Sequence, residues 1–270
     1  MKIHDATSSK AQLGRRELLA RAGRYTVGAA ALGSVAAAVP GPRSEALAAG
    51  GGTEKWPWPY VKLDPAATAE RAYEEWYRVF CGAAVVSAVF GQLREKVGEP
   101  YRSFPIDAFT FLEGGVVGWG TICGANAGCC IVTNVILGPK VAGSEEGMLM
   151  GSELMQRYAS TAMPTYVPRS PKVKADPPKT VAGSPLCHLS VGRWMKAANK
   201  ELASPERRDR CARLTASMTY ELVTLLNAWK DGTYRTRGVV PAKAYGIQAQ
   251  HDCDDCHGAN VPSPPSPKKI

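Results

Sequence analysis

Histidine is scarce in this chain: four occur in 270 residues, at 4, 188, 251 and 257. No block of lysine and arginine runs through an aromatic-rich stretch, so the formal net charge of +9 does not indicate a nucleic-acid surface. No strand-type alternation extends over five residues, which argues against a substantial sheet. Nothing in the order of residues resembles a catalytic triad or an oxyanion apparatus, and no paired acid and base stand out. The weakly apolar stretch from Thr26 to Val39 is too short for a membrane span and is broken off by Pro40 and Pro42. What is present is a 45% hydrophobic chain, enough for one sizeable core or two small ones, with eight cysteines and 27 glycines.

Residues 1–48 read as an export signal. Arg15-Arg16 precedes Glu17-Leu18-Leu19 and then the mild, glycine-containing apolar stretch. Ala46-Leu47-Ala48 has the small-x-small form of a signal peptidase site. Twin arginines before such a stretch point to the twin-arginine route, which carries folded proteins, and hence to the periplasm. Several of the excess positive charges (Arg15, Arg16, Arg21, Arg24, Arg43) fall in this segment.

The body, residues 49–232, is expected to be helical. Asp64-Pro65 offers a carboxylate cap followed by proline at the first helical position. From Ala66 to Val97, apolar residues recur at helical spacing (Trp76, Val79, Phe80, Ala83, Val86, Phe90), predicting one long helix or two joined near Cys81-Gly82. Another helical block is expected from Pro105 toward Val117. A glycine-rich stretch and an apolar run to Leu137 follow, then a helix from Ser144 to Ala162. Glycines partly at four-residue spacing, among them Gly120, Gly124 and Gly128, suit close approach of a backbone or a cofactor. The proline- and lysine-bearing stretch from Pro164 to Pro185 predicts an extended surface connection. Leu186 to Leu202 predicts a short amphipathic helix, and Ser204-Pro205 caps a last helix closed by Lys230-Asp231-Gly232. Trp119, Trp194 and Trp229 are candidates to line a cofactor, but tryptophan at helical spacing is more often core, and core is the expectation. The fold class is all-α, a helical bundle with an irregular C-terminal tail over 233–270.

That tail holds Cys253-Asp254-Asp255-Cys256-His257. One turn of chain places two sulfurs against the two vinyl-derived carbons of a porphyrin, and the next residue presents an imidazole to the iron. A zinc ribbon would need a second paired-cysteine motif, which the adjacent Cys129-Cys130 does not supply. Cys253 and Cys256 are therefore covalent haem c attachments and His257 an axial ligand. With the signal removed, His188 and His251 are the imidazoles left for the opposite face, His188 from its own or a neighbouring subunit. Ligation by Met195 or Met218 is the alternative; two imidazoles predict the lower potential.

Six cysteines remain: Cys81, Cys123, Cys129, Cys130, Cys187 and Cys211. In an exported protein an even remainder suits disulfides, and it suits a four-thiolate metal site with a spare pair equally well. Cys81 stands in Phe-Cys-Gly-Ala-Ala-Val-Val, and Cys123 opens Cys-Gly-Ala-x-x-Gly, with Cys187 and Cys211 downstream. This ordered set resembles the redox-active family named for its C…GCAxxG…C…C pattern and, joined to a C-terminal Cys-x-x-Cys-His, the split-Soret cytochrome c group within it. The resemblance spans most of the chain after the signal. It implies a helical homodimer with bis-histidine haems near the subunit interface. It also implies an iron–sulfur centre on Cys81, Cys123, Cys187 and Cys211, with Cys129 and Cys130 extra to the pattern. The expected function is single-electron transfer with a redox partner protein, more as carrier than catalyst. A reductase of a small oxidant, or a haem protein with structural cysteines, are the alternatives.

Overall fold

The computed structural model describes residues 55–238. The expected export signal, His251 and the expected haem motif Cys253–His257 lie outside the described residues. At Asp64 the side chain accepts a hydrogen bond from the Ala67 amide at 2.7 Å, and Pro65 begins helix α1 (Pro65–Val79). The following helix is separate. Phe80 has φ 59°, a left-handed conformation uncommon for an aromatic residue, and it turns the chain so that α2 (Cys81–Lys96) starts on Cys81. Of the two arrangements the periodicity allows, the chain adopts two helices joined at Phe80-Cys81.

The helix expected from Pro105 toward Val117 does not form. Only a short 3-10 turn, Ile106–Phe109, is present, followed by a loop in which Gly114, Gly115, Val117, Gly118 and Gly120 all have positive φ. Helical geometry is inaccessible to a chain that takes left-handed values at five of seven positions. The loop delivers the chain to α3 (Gly124–Leu137), closed by Gly138 at φ 100°. Helices α4 (Glu146–Ser160), α5 (Cys187–Ala198) and α6 (Pro205–Lys230) complete the set, the last capped by Ser204, which accepts from the Arg207 amide. Over the described residues the fold is thus mostly helical.

Helix α2 is central. It packs against α1, α3 and α6, while α3 lies between α2 and α4 and α1 runs along α6. Val85, Val86, Val89, Phe90 and Leu93 of α2 meet Val132 and Ile136 of α3, Met150 and Leu154 of α4, and Met218 and Leu222 of α6 in one buried core. Trp58, ahead of α1, closes its end, edge-on to Tyr101 at a centroid distance of 5.2 Å. The stretch Gly124–Ala142 has a mean hydropathy of 1.2, within the range of a membrane span. Its helix, however, is only 14 residues long and contributes the buried Cys129, Val132 and Ile136 to the interior.

The connection expected to be extended is so, with one refinement: Ala162–Met163 (β1) pairs antiparallel with Thr180–Val181 (β2). Elsewhere side chains pin it. Ser217 Oγ accepts from the amides of Thr165 and Tyr166, and Tyr73 Oη accepts from that of Lys172. Below it lies a closed polar group. Asp209 accepts from Tyr73 Oη, Tyr77 Oη and Arg213 Nε, and Arg213 also binds Asp176.

The contact of α2 with α3 depends on missing side chains. A Cβ on Gly124 would lie 2.8 Å from the Cys81 Cβ and collide with the Leu112 carbonyl, and one on Gly128 would lie 2.6 Å from the Gly82 carbonyl. By contrast, a Cβ on Gly192 of α5 meets nothing. Gly124→Ala is expected to cost about 1–3 kcal/mol. Gly192→Ala is expected to gain about 0.5–1 kcal/mol by removing a helical glycine. Urea unfolding midpoints of the two variants check both signs.

Candidate functional site

Four cysteines reach one end of the bundle from four different helices. Cys81 is the first residue of α2, Cys123 caps α3, Cys187 is the first residue of α5, and Cys211 sits in the second turn of α6. Two of these starts are aligned by a short backbone pairing. The Cys123 amide donates to the Pro185 carbonyl at 2.9 Å, and the amides of Cys187 and His188 donate to Thr121 and Gly120 at 2.7 and 3.0 Å. Ile122 and Leu186 bridge between them. The glycine contact described above brings Cys81 to the same place.

All four are buried and reduced, and among the described residues no disulfide is formed. The Cys187 thiol donates to the Cys123 sulfur, which pulls Cys123 down to about 6 from an ordinary 9.0; the Arg210 charge assists. Cys187, as donor and through burial, is held above the ordinary range. Burial and the neighbouring Cys123 and Cys211 push Cys81 up to about 12, against the 3.3 Å hydrogen bond it accepts from Trp76 Nε1. Cys81, Cys123 and Cys187 are thus each perturbed by other members of the set. Three stand at helix N-termini, where the helix dipole favours anionic sulfur.

The set opens on a groove of about 780 Å³, large enough for a cofactor, with Cys81, Cys187, Cys211, Trp76, His188 and Met195 in its walls. His188 is exposed on this groove, and its backbone lies against Gly120, where a Cβ would come within 3.0 Å of the His188 Cβ. Phe111, Val117 and Leu202 line the same groove and remain exposed. Met218, the other methionine considered, is fully buried in the core away from it.

Cys129 and Cys130 point elsewhere. Cys129 faces the Met218 carbonyl, and Cys130 lies against α4 at Gly151; burial raises both thiols, Cys130 to about 12. Trp194 is buried as expected and donates to the Pro178 carbonyl; Trp229 is only partly buried against the core and donates to Glu146, and Trp119 is 84% exposed, because the glycine loop carries it outward. Sequence reasoning overlooked Trp76 as a sulfur ligand's partner, and also Arg210, Ser190 and Tyr158 behind the cysteines. Arginine in an Arg-rich helix start reads as solvated surface, so the sequence carries no signal for its burial.

Among the described residues no three His, Cys, Asp or Glu side chains converge tightly enough to enclose a single metal ion. Four buried thiols, three of them at helix starts, are the donor type that holds iron–sulfur groups.

Residues 79–225, more than half of the chain, match the family described as putative redox-active protein (C_GCAxxG_C_C), and the chain belongs to it. Within that class its likeness is to split-Soret cytochrome c of Desulfovibrio desulfuricans (strain ATCC 27774 / DSM 6949 / MB). The two are 34% identical over 254 residues, 91% of this chain and 87% of the relative. A solved structure of split-Soret cytochrome c from Desulfovibrio desulfuricans ATCC 27774, described as containing a novel iron centre, matches with a TM-score of 0.63. It is 31% identical and covers 76% of this chain and 84% of its own.

A pH dependence follows from Cys123. Its folded-state value of about 6 lies below the ordinary 9.0, so the unfolded chain binds more protons between them. In reduced protein without iron, stability is expected to rise with pH across that window and to be lost as pH falls through about 6. Cys81 and Cys187, shifted upward, oppose this only above 9. Denaturant titrations from pH 5.5 to 8.5 check it, and Cys123→Ser should flatten the slope.

Proposed function

We propose that this chain is a periplasmic electron-transfer protein with haem c on its tail and an iron–sulfur centre on Cys81, Cys123, Cys187 and Cys211. The observation that carries the reading is the opening of three of these cysteines and His188 onto one groove. The relatedness to a cytochrome c whose structure is described by a novel iron centre supports it.

In this reading Cys253 and Cys256 hold the porphyrin covalently and His257 binds the iron. His188 is the opposite ligand, from the same or the partner subunit, with His251 as the alternative. Bound in this way, the two iron groups supply one-electron exchange. The chain's own residues fix where that occurs. The helix starts and the Trp76 N–H favour anionic sulfur, and the core behind α2 and α3 keeps water from it. The His188 amide is tied to Gly120, which fixes the start of the helix carrying the imidazole. The exposed Phe111, Val117 and Leu202 give the groove an apolar rim that a porphyrin and a second subunit would cover, consistent with a homodimer. Cys129 and Cys130 stand outside the ligand set. Delivery by the twin-arginine route would let the centre be assembled before export.

Protein purified without oxygen is expected to contain acid-labile sulfide and iron in excess of haem. Its reduced form should show a low-spin haem spectrum with a divided Soret band. Iron equal to haem and no sulfide would overturn the second centre. Carbon monoxide should not bind the parent haem but should bind His188→Ala; binding to the parent would favour the reductase reading instead.

A further inference from the structure

Arg210 precedes Cys211 on α6 and is only 1% exposed. Arg213, equally buried one turn on, is neutralised by Asp209 at 2.7 Å and Asp176 at 2.9 Å. Among the described residues no carboxylate pairs with Arg210. Its Nη2 donates to Ser190 Oγ of α5 at 2.8 Å, its Nη1 lies 3.9 Å from Cys211 Sγ, and its Nε has no acceptor. On the far side of Ser190 the buried Tyr158 hydroxyl faces Cys123. Ser190, Arg210 and Tyr158 therefore form an arc behind the cysteines, from Cys211 round to Cys123.

A guanidinium cannot shed its proton to relieve this situation. Left without an anion in the interior, such a charge is strongly destabilising. If its purpose were to hold α5 on α6 through Ser190, an uncharged amide would do so without that cost. The anions within reach are the cysteine sulfurs themselves, as thiolates.

We infer that Arg210 is the fixed counter-cation of the group held by the four cysteines, a positioning residue that raises the reduction potential of that group and slows its loss. The inference rests on the two-centre reading above. Reduction adds negative charge at the centre, and a buried cation nearby stabilises the reduced state more than the oxidised one. Ser190 acts through Arg210, by aiming the guanidinium at Cys211.

The test uses the full loaded protein and a redox titration of the non-haem centre, followed by its electron paramagnetic resonance signal. Arg210→Gln is expected to shift the oxidised-to-reduced ratio at fixed potential about tenfold toward oxidised, ~59 mV for a one-electron couple. Arg210→Lys should stay near the parent, and Ser190→Ala should move in the direction of Arg210→Gln by less. In iron-free protein Arg210→Gln should melt no lower than the parent, whereas in loaded protein it should melt lower. If Arg210→Gln does not fold, Arg210→Met replaces it. A loaded Arg210→Gln protein with parental iron, sulfide and helix content but an unmoved potential would refute the inference. So would Arg210→Lys shifting as far as Arg210→Gln, which would make the role one of packing. A parent protein devoid of non-haem iron and sulfide would instead remove the two-centre reading and this inference with it, an outcome told apart by metal analysis alone.

Discussion

The start of α2 lies against the start of α3 with no side chain between them, and the cysteine site follows from that contact. Gly82, Gly124 and Gly128 leave room for the Leu112 carbonyl to accept from the Gly82 amide at 3.1 Å. That bond fixes where the glycine loop begins. The loop then has to travel from Leu112 to Cys123 without crossing the α2–α3 seam, and the run of left-handed residues is how it does so. It ends in an extended stretch at 120–123, which pairs with the chain entering α5 and so sets Cys187 beside Cys123 and His188 beside Gly120. A methyl group at Gly124 would therefore disturb the packing of two helices and the spacing of three cysteines together.

The interior contains two polar groups of opposite design. Between α1, α6 and the extended connection, Asp209, Arg213, Tyr73 and Tyr77 satisfy one another, and charge is balanced within the fold. Such a group ties elements together and asks nothing of the solvent or a ligand. Around the cysteines the balance is incomplete: a buried guanidinium, a buried phenol facing Cys123, and three helix starts all favour negative charge that neutral thiols do not supply. The two groups sit on different faces of the same turn of α6, with Asp209 facing one and Arg210 the other. The difference between them separates a structural network from a site built to receive something.

Much of this was legible in the sequence where local chemistry decides. Asp64-Pro65 and Ser204-Pro205 mark helix starts because caps act within three residues, and the cysteine order gave the family because its spacing is carried by the chain itself. The four-residue glycine spacing rightly suggested close approach. What was not legible depends on distant partners. Phe80 breaks the long periodic segment by backbone conformation, although nothing in its residue type forbids a helix there. The stretch after Pro105 has apolar residues enough for a helix, but its glycines are taken up by left-handed turns that only the α2–α3 contact requires. Arg210 lies in a start rich in arginine (207, 208, 210, 213), and only distant partners, Ser190 of α5 for Arg210 and Val173 and Asp176 of the extended connection for Arg213, separate the buried from the rest.

The same packing bears on how a tail and a body would share one haem. After α6 the chain is held to α4 by Glu153, which accepts from Tyr234 Oη at 3.0 Å and from the Arg237 amide at 3.1 Å. Fifteen positions separate Gly238 from Cys253, a span of at most ~50 Å if fully extended. A tether of that length sets an outer limit and selects neither the chain's own groove nor that of a partner. Selection has to come from the groove. Its apolar rim gains by being covered, its imidazole is held on a backbone fixed at Gly120, and its floor is the cysteine set. A haem seated there would be attached covalently to the tail and by iron to the body. Its retention and the integrity of the cysteine site would then depend on the same few contacts around α5.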